Sequence, residues 1–270
     1  MLKSWRLGQV FGFPVEINLS FLLLLALVFI GFGGLPGVIV VGLAFGSVLL
    51  HELGHALVAR RLGVHVAGIE LSFFGGAAKM VQMPRTPNHE LAIAAAGPAV
   101  SLALGVAGLA LGAVLPIPLF GSINLFATIG AINLVLAAFN LIPALPMDGG
   151  RILRALLARK VSYVRATDIA VTVARVVSIG FVIAGLMGSY QLLLLAPFLW
   201  VMGTRERALA HAAGDPFTGY ASGAGGFWRS AAPARGGHDR PGGFYRDDSL
   251  PLRRFTIRHV GGRMVIEPLD

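Results

Sequence analysis

At 270 residues, 56% of them hydrophobic and only 13% charged, the chain is a polytopic membrane protein and not a soluble domain. Its net charge of +9 is scattered in short clusters between apolar runs, which excludes a nucleic-acid-binding footprint. With no cysteine, disulfides and thiolate ligands or nucleophiles are excluded, so any metal must be held by His, Asp or Glu.

Six apolar runs follow one another at 17–32, 38–59, 91–115, 123–145, 169–187 and 191–203, each near the length a bilayer requires. The basic start before the first run has no small-residue cleavage site after it, so the run reads as a retained transmembrane helix and not a signal peptide. Lys3 and Arg6, then Arg60 and Arg61, then Lys79 and Arg85, then Arg151 to Arg165, then Arg205 and Arg207 all fall on one side of the alternation. The intervening loops 33–37, 116–122 and 188–190 carry no charge. The positive-inside rule then predicts both termini in the cytoplasm.

The second run carries His51-Glu52-Leu53-Gly54-His55. On a helix, positions i and i+4 share a face, so the two imidazoles can hold one Zn²⁺. The neighbouring Glu52 is placed to take a proton from a water whose pKa the metal lowers. Polar groups at membrane depth are expensive unless paired or bound to metal. His51 lies nine residues before Arg60, about 13 Å at 1.5 Å per residue, so the site sits inside the hydrocarbon zone on the cytoplasmic side.

Between runs two and three, residues 70–83 hold the pair Gly75-Gly76 between short, partly apolar arms, which predicts a small β-hairpin turning at the glycines. Its exposed edge suits an extended peptide. Gly42-x-x-x-Gly46 and Gly108-x-x-x-Gly112 predict that helices two and three pack together through small residues. Run four ends in Asn140-Leu-Ile-Pro-Ala-Leu-Pro-Met-Asp-Gly-Gly150, where two prolines break the helix and the glycines permit an unusual backbone beside Asp148. Asp148 is the leading candidate for a third ligand; Glu90 ranks second and a loop histidine, His65 or His89, third. Residues 1–203 form the transmembrane domain. Residues 204–270 are a cytoplasmic Gly-, Arg- and Pro-rich tail, ending at 253–267 in an alternating stretch about Gly261-Gly262 that suggests a β-hairpin.

These motifs resemble the site-2 protease family, the membrane-embedded zinc metalloproteases of regulated intramembrane proteolysis. The likeness covers about residues 6–156. It includes Phe11-Gly-Phe-Pro-Val15, the His51–His55 motif, Phe74-Gly-Gly-Ala77, Glu90-x-x-Ile-Ala94, Ala96-Gly-Pro98 and Asn140-x-x-Pro-x-x-Pro-x-Asp-Gly-Gly-Arg151. Met147 stands where the family more often has Leu, and Asn18 where many bacterial members have His. No inserted PDZ domain and no CBS pair is recognisable.

The resemblance implies one zinc per chain on His51, His55 and Asp148, with Glu52 as general base and Asn140 assisting the substrate carbonyl. It implies a membrane-associated hairpin with Phe74, Gly75, Gly76 and Ala77 engaging substrate. It also implies a bacterial inner-membrane enzyme that cuts a transmembrane segment of a membrane-tethered regulator, such as an anti-sigma factor, after another protease has trimmed it. Two rival functions are a non-catalytic client-binding protein on the same fold and a zinc transporter. The intact Glu52 disfavours the first, and the clustering of all candidate ligands on one side of the bilayer disfavours the second.

Overall fold

The computed structural model describes residues 4–31, 34–72, 75–80, 84, 86–120, 123–213, 216–217, 254–260 and 263–269, in two compact units, 1–227 and 228–270. The first unit opens with strands, which the sequence did not suggest. β1 (Ser4–Val10) and β2 (Phe13–Asn18) pair antiparallel about a turn in which Phe11 and Gly12 take φ of 51° and 82°. Helix α1 (Leu19–Gly31) begins only after Asn18. The Asn18 Oδ1 accepts from the Ser20 amide at 3.2 Å and its Nδ2 donates to Glu70 Oε1 at 3.0 Å. Thus Asn18 joins the helix start to the strand that carries Glu70.

Helix α2 (Leu35–Arg61) enters through Pro36 and stops where Gly63 takes φ 74°, with Arg60 and Arg61 at its negative dipole end. β3 (Val66–Ser72) then runs parallel to β2, and β4 (Gly75–Met80) antiparallel to β3, so the sheet order is β1-β2-β3-β4. Phe13, Val66 and Ile69 of the sheet bury their side chains with Leu53, Ala56 and Ala59 of α2 and Ile93. This apolar cluster fixes the sheet against the helix that carries the histidines.

The predicted hairpin lies between α2 and the next helix, but its turn is not at the glycines. Ser72 pairs with Gly75, so Gly75 and Gly76 lie within β4. Gly76 is there for space: a Cβ on it would fall 2.8 Å from both the Glu52 Cγ and the Val48 Cγ1. Phe74 lies outside the described residues.

Helix α3 (Pro87–Val114) is capped by Thr86, whose hydroxyl accepts from the His89 amide, with Pro87 in its first turn. The short strands β5 (Pro118–Phe120) and β6 (Ile123–Asn124) lead to α4 (Leu125–Asn140), capped by Asn124 onto Ala127 N at 3.0 Å. Close approach of α3 and α4 rests on Gly105, Gly108 and Gly112 against Leu134, Gly130 and Ala127. Gly108 and Gly112 therefore serve α4 and not α2. Gly42 and Gly46 meet nothing within 4 Å, and α2 meets α3 instead at Gly54, beneath Ala96 and Val100.

Helix α5 (Asp148–Ala158) follows the proline break, and its Gly149 and Gly150 are regular helical residues. Their lack of side chains lets α5 pack directly under the backbone of Leu141, Ile142 and Ala144. α6 (Tyr163–Leu186) and α7 (Gln191–Ala213) form an antiparallel pair about Gly188, at φ 121°, and Ser178 Oγ donates to the Ala196 carbonyl at 2.7 Å.

All six apolar runs thus fall on helices. α2, α3 and α6 are long and apolar enough to cross a membrane, while α1 and α4 are apolar but shorter. In the second unit, β7 (Arg254–Val260) and β8 (Arg263–Leu269) pair antiparallel, with Val260 opposite Arg263.

Candidate metal centre

His51 and His55 lie one turn apart on α2, buried where α2 crosses α3. Both rings are held from behind. The His51 Nδ1 meets the Ser101 Oγ at 2.9 Å, and the His55 Nδ1 meets the Ile93 carbonyl at 2.7 Å. A carbonyl only accepts, so His55 Nδ1 carries the proton and its Nε2 offers a lone pair. Holding the far ring nitrogen in this way orients a ligand histidine.

Both Nε2 atoms point at one oxygen. Asp148 Oδ2 lies 3.0 Å from His51 Nε2 and 3.1 Å from His55 Nε2, and all three side chains are buried. A lone pair on His55 Nε2 facing a carboxylate oxygen at that distance is repulsive unless a proton or cation lies between them. Zinc with N and O ligands at about 2.0–2.2 Å in a tetrahedron sets neighbouring ligand atoms about 3.3–3.6 Å apart. The three atoms need spread only a few tenths of an ångström to match.

Space for the ion is left by Gly97. A Cβ there would fall 2.6 Å from His51 Nε2 and closer still to His55 Nε2. Chemistry, spacing and this cradle all fit a zinc ion on His51, His55 and Asp148. Glu52 is half-buried beside them, and one of its oxygens and a ring nitrogen from each histidine lie within 4.8 Å of one another. Asp148 Oδ2 lies within hydrogen-bond reach of both imidazoles, which suits Asp148 to ligation, and Glu52 beside them suits proton transfer.

The other candidates for third ligand lie elsewhere. Glu90 Oε1 accepts from Arg154 Nε at 2.8 Å and from its Nη2, while Arg154 Nη1 donates to Glu206 at 3.2 Å. The Arg154 guanidinium also stacks 4.9 Å from the Tyr163 ring centroid. Burial disfavours the charged form of Arg154, but the Glu90 carboxylate overrides it and holds the pKa above its ordinary value. This buried pair ties α5, which starts at Asp148, to α3, which carries Ile93, Gly97 and Ser101. His65 is exposed, and the half-buried His89 helps only to start α3 through its backbone.

Asn140 closes α4 half-buried, its Nδ2 donating to the Leu136 carbonyl at 3.0 Å. Gly76 backs onto Glu52, and β4, which also holds Gly75 and Ala77, forms one edge of the sheet. The sequence reading missed Ser101, Gly97 as a space-maker, and the Glu90–Arg154 pair. The signal for Ser101 was available, since it is the sole hydroxyl residue in the apolar run 91–115. Ser47, one turn before His51, is a comparable case: it accepts from Asn133 Nδ2 at 2.8 Å in the buried contact between α2 and α4.

Comparison with known proteins bears on the family of the chain. The model of peptidase family M50 matches residues 38–120 and 116–181. A zinc metalloprotease of Methanocaldococcus jannaschii is 37% identical over 212 residues, covering 77% of this chain and 61% of its own. A Synechocystis protein provisionally named a zinc metalloprotease is 42% identical over 171 residues, covering 58% of this chain and 45% of its own. The chain thus spans about half to three-fifths of the length of these curated relatives. The solved structure of the site-2 protease from Methanocaldococcus jannaschii superposes with a TM-score of 0.61 at 35% identity, over 76% of this chain and 95% of that one. With its histidine pair, its glutamate and Asp148 set as the motifs require, the chain belongs to peptidase family M50, the site-2 protease family.

Proposed function

We propose that this chain is an intramembrane zinc endopeptidase that hydrolyses a peptide bond in or near a transmembrane segment of a membrane-tethered protein. One observation carries the reading: two histidine nitrogens and one aspartate oxygen converge beside the Glu52 carboxylate, on a helix of membrane-spanning length. Zinc bound there would polarise the scissile carbonyl and lower the pKa of a water. Glu52 takes the proton of the attacking water and returns it to the leaving amine. The Ile93 carbonyl keeps His55 in the tautomer that faces the ion, and Ser101 holds the His51 ring in place. Asn140 assists the carbonyl after giving up its bond to Leu136.

The six apolar helices serve as six spans, the first and fourth aided by the sheet and by β5–β6. Both termini lie in the cytoplasm, in a bacterial inner membrane. Helical backbone is hidden from a protease, so the substrate is cut only after local unwinding. The edge of β4, which holds Gly75, Gly76 and Ala77, offers it backbone hydrogen bonds as an added strand. Single-span regulators, including anti-sigma factors, are the substrate class.

The test is co-expression with a panel of tagged single-span proteins, with zinc measured in the purified enzyme. Glu52→Gln should retain zinc and lose cleavage by 10²-fold or more. Asp148→Asn should weaken zinc binding and cleavage together. Variants that process the panel as well as the unaltered chain refute the enzyme assignment. Retention of uncut segments by a zinc-free chain would point instead to a client-binding protein.

A further inference from the structure

Helices α2 and α4 both run antiparallel to α3. His51–Ser101 and His55–Ile93 set the direction of the first pair, and Gly105–Leu134, Gly108–Gly130 and Gly112–Ala127 that of the second. Hence α2 and α4 run parallel, joined in their buried contact by Ser47 and Asn133. Beside that contact lies a groove of about 220 Å³, lined by Ala44 and Val48 of α2 and by Ile132, Val135, Leu136 and Phe139 of α4. Every lining residue is apolar.

The α2 wall ends at Glu52. Ala44, Val48 and Glu52 follow one another at four-residue steps, as do Ile132, Leu136 and Asn140, so each row lies along one helix face. Each row is about 12 Å long at 1.5 Å per residue. On α2 the side-chain contacts agree: Val48 and Glu52 converge on Gly76 of the β4 edge strand. A chain lying on β4 with its scissile bond at Glu52 continues into this groove, which accommodates about three to four extended residues at some 3.3 Å each.

We propose that the α2–α4 groove is the specificity subsite of the enzyme, taking the apolar side chains of the substrate that lie deeper in the membrane than the scissile bond. This rests on the endopeptidase reading above and adds to it a place and a preference. Large aliphatic and aromatic side chains fill an all-apolar groove, and small or polar ones leave it empty or carry an unpaired polar group into it.

Two measurements on the full-length protein test it. In the Glu52→Gln chain, a benzophenone amino acid is placed at Val135, which lines the groove at 69% exposure, or at Ile179 on α6, at 53% exposure. The probe is a tagged single-span segment with leucines at its centre. Capture of the segment at Val135 and not at Ile179 supports the groove; capture of lipid alone at Val135 overturns it.

In the active chain, the same segment carries Ala, Val, Leu or Phe in turn on the inward side of the cut. Ala44→Phe fills the groove and should move the Phe-to-Ala cleavage ratio towards Ala by tenfold or more. Val135→Ala, at an exposed position, should move it the other way. Cleavage that persists with an unchanged ratio in both variants overturns the groove while the enzyme assignment stands. Capture at Val135 by a chain that cuts nothing leaves the groove as a docking site and overturns the enzyme assignment.

Discussion

Gly97→Ala is a one-methyl change that should empty the metal centre while leaving the helix intact. The added carbon would lie 2.6 Å from His51 Nε2, where ordinary contact begins near 3.4 Å, so that nitrogen must retreat by about 0.8 Å. His55 Nε2 must retreat further. Neither ring has slack behind it, because Ser101 and the Ile93 carbonyl already hold the opposite nitrogens at 2.9 and 2.7 Å. A metal site tolerates about 0.2 Å in ligand position. The shift is several times that tolerance, so zinc affinity should fall by at least about 100-fold, the upper end of what losing a supporting hydrogen bond costs. The backbone effect has the opposite sign: replacing a mid-helix glycine by alanine ordinarily stabilises by about 1 kcal/mol. The assay is zinc competition against a graded chelator on purified protein, with thermal unfolding and cleavage in parallel. Gly42→Ala, where nothing lies within 4 Å, is the control and should keep zinc. A Gly97→Ala protein that holds zinc as tightly as the unaltered chain would refute the placement of α3 against the histidines.

Ser101→Ala removes the group that holds His51 Nδ1 and should weaken zinc binding 10- to 100-fold in the same competition assay; unchanged affinity would show that the serine does not orient the ring. Arg154→Met strands Glu90 as an unpaired buried charge and should cost about 3–5 kcal/mol, read as a large drop in the unfolding temperature in detergent. Adding Glu90→Gln to that variant should recover most of the loss, and a double variant no more stable than the single one would show that the pair is not the cause.

The metal centre was legible in the sequence because helical periodicity alone brings His51, Glu52 and His55 together, and polar residues in an apolar run are conspicuous. Asp148 was legible for a related reason, as the lone acidic residue between Glu90 and Asp168. What stayed hidden depended on partners distant in the chain. β2 offers only six residues of alternation, directly abutting an apolar helix, so Ile17 read as the start of a span. Gly75 and Gly76 read as a turn because glycine favours turns, whereas Gly76 is required by the side chains of Val48 and Glu52 on another element. Gly149 and Gly150 misled in the same way. Glycines chosen for the thickness of a contact look, in one dimension, like glycines chosen for φ. Glu90 looked like a ligand because its counter-ion, Arg154, lies 64 residues away.

The parallel pairing of β2 with β3 has a consequence for biogenesis. Val15 sits opposite Ile69, and the whole of α1 and α2 is threaded between them. A nascent chain therefore cannot complete the sheet until α1, α2 and the strands on either side of them have all been made and brought together. Without β2, β3 and β4 would be a lone two-stranded ribbon, which is marginal by itself. The strand edge beside Glu52 is thus a late product of folding. A chain still being made carries the histidine motif of α2 before it has a firm sheet edge beside it, and the two come together only once β2 and β3 have met.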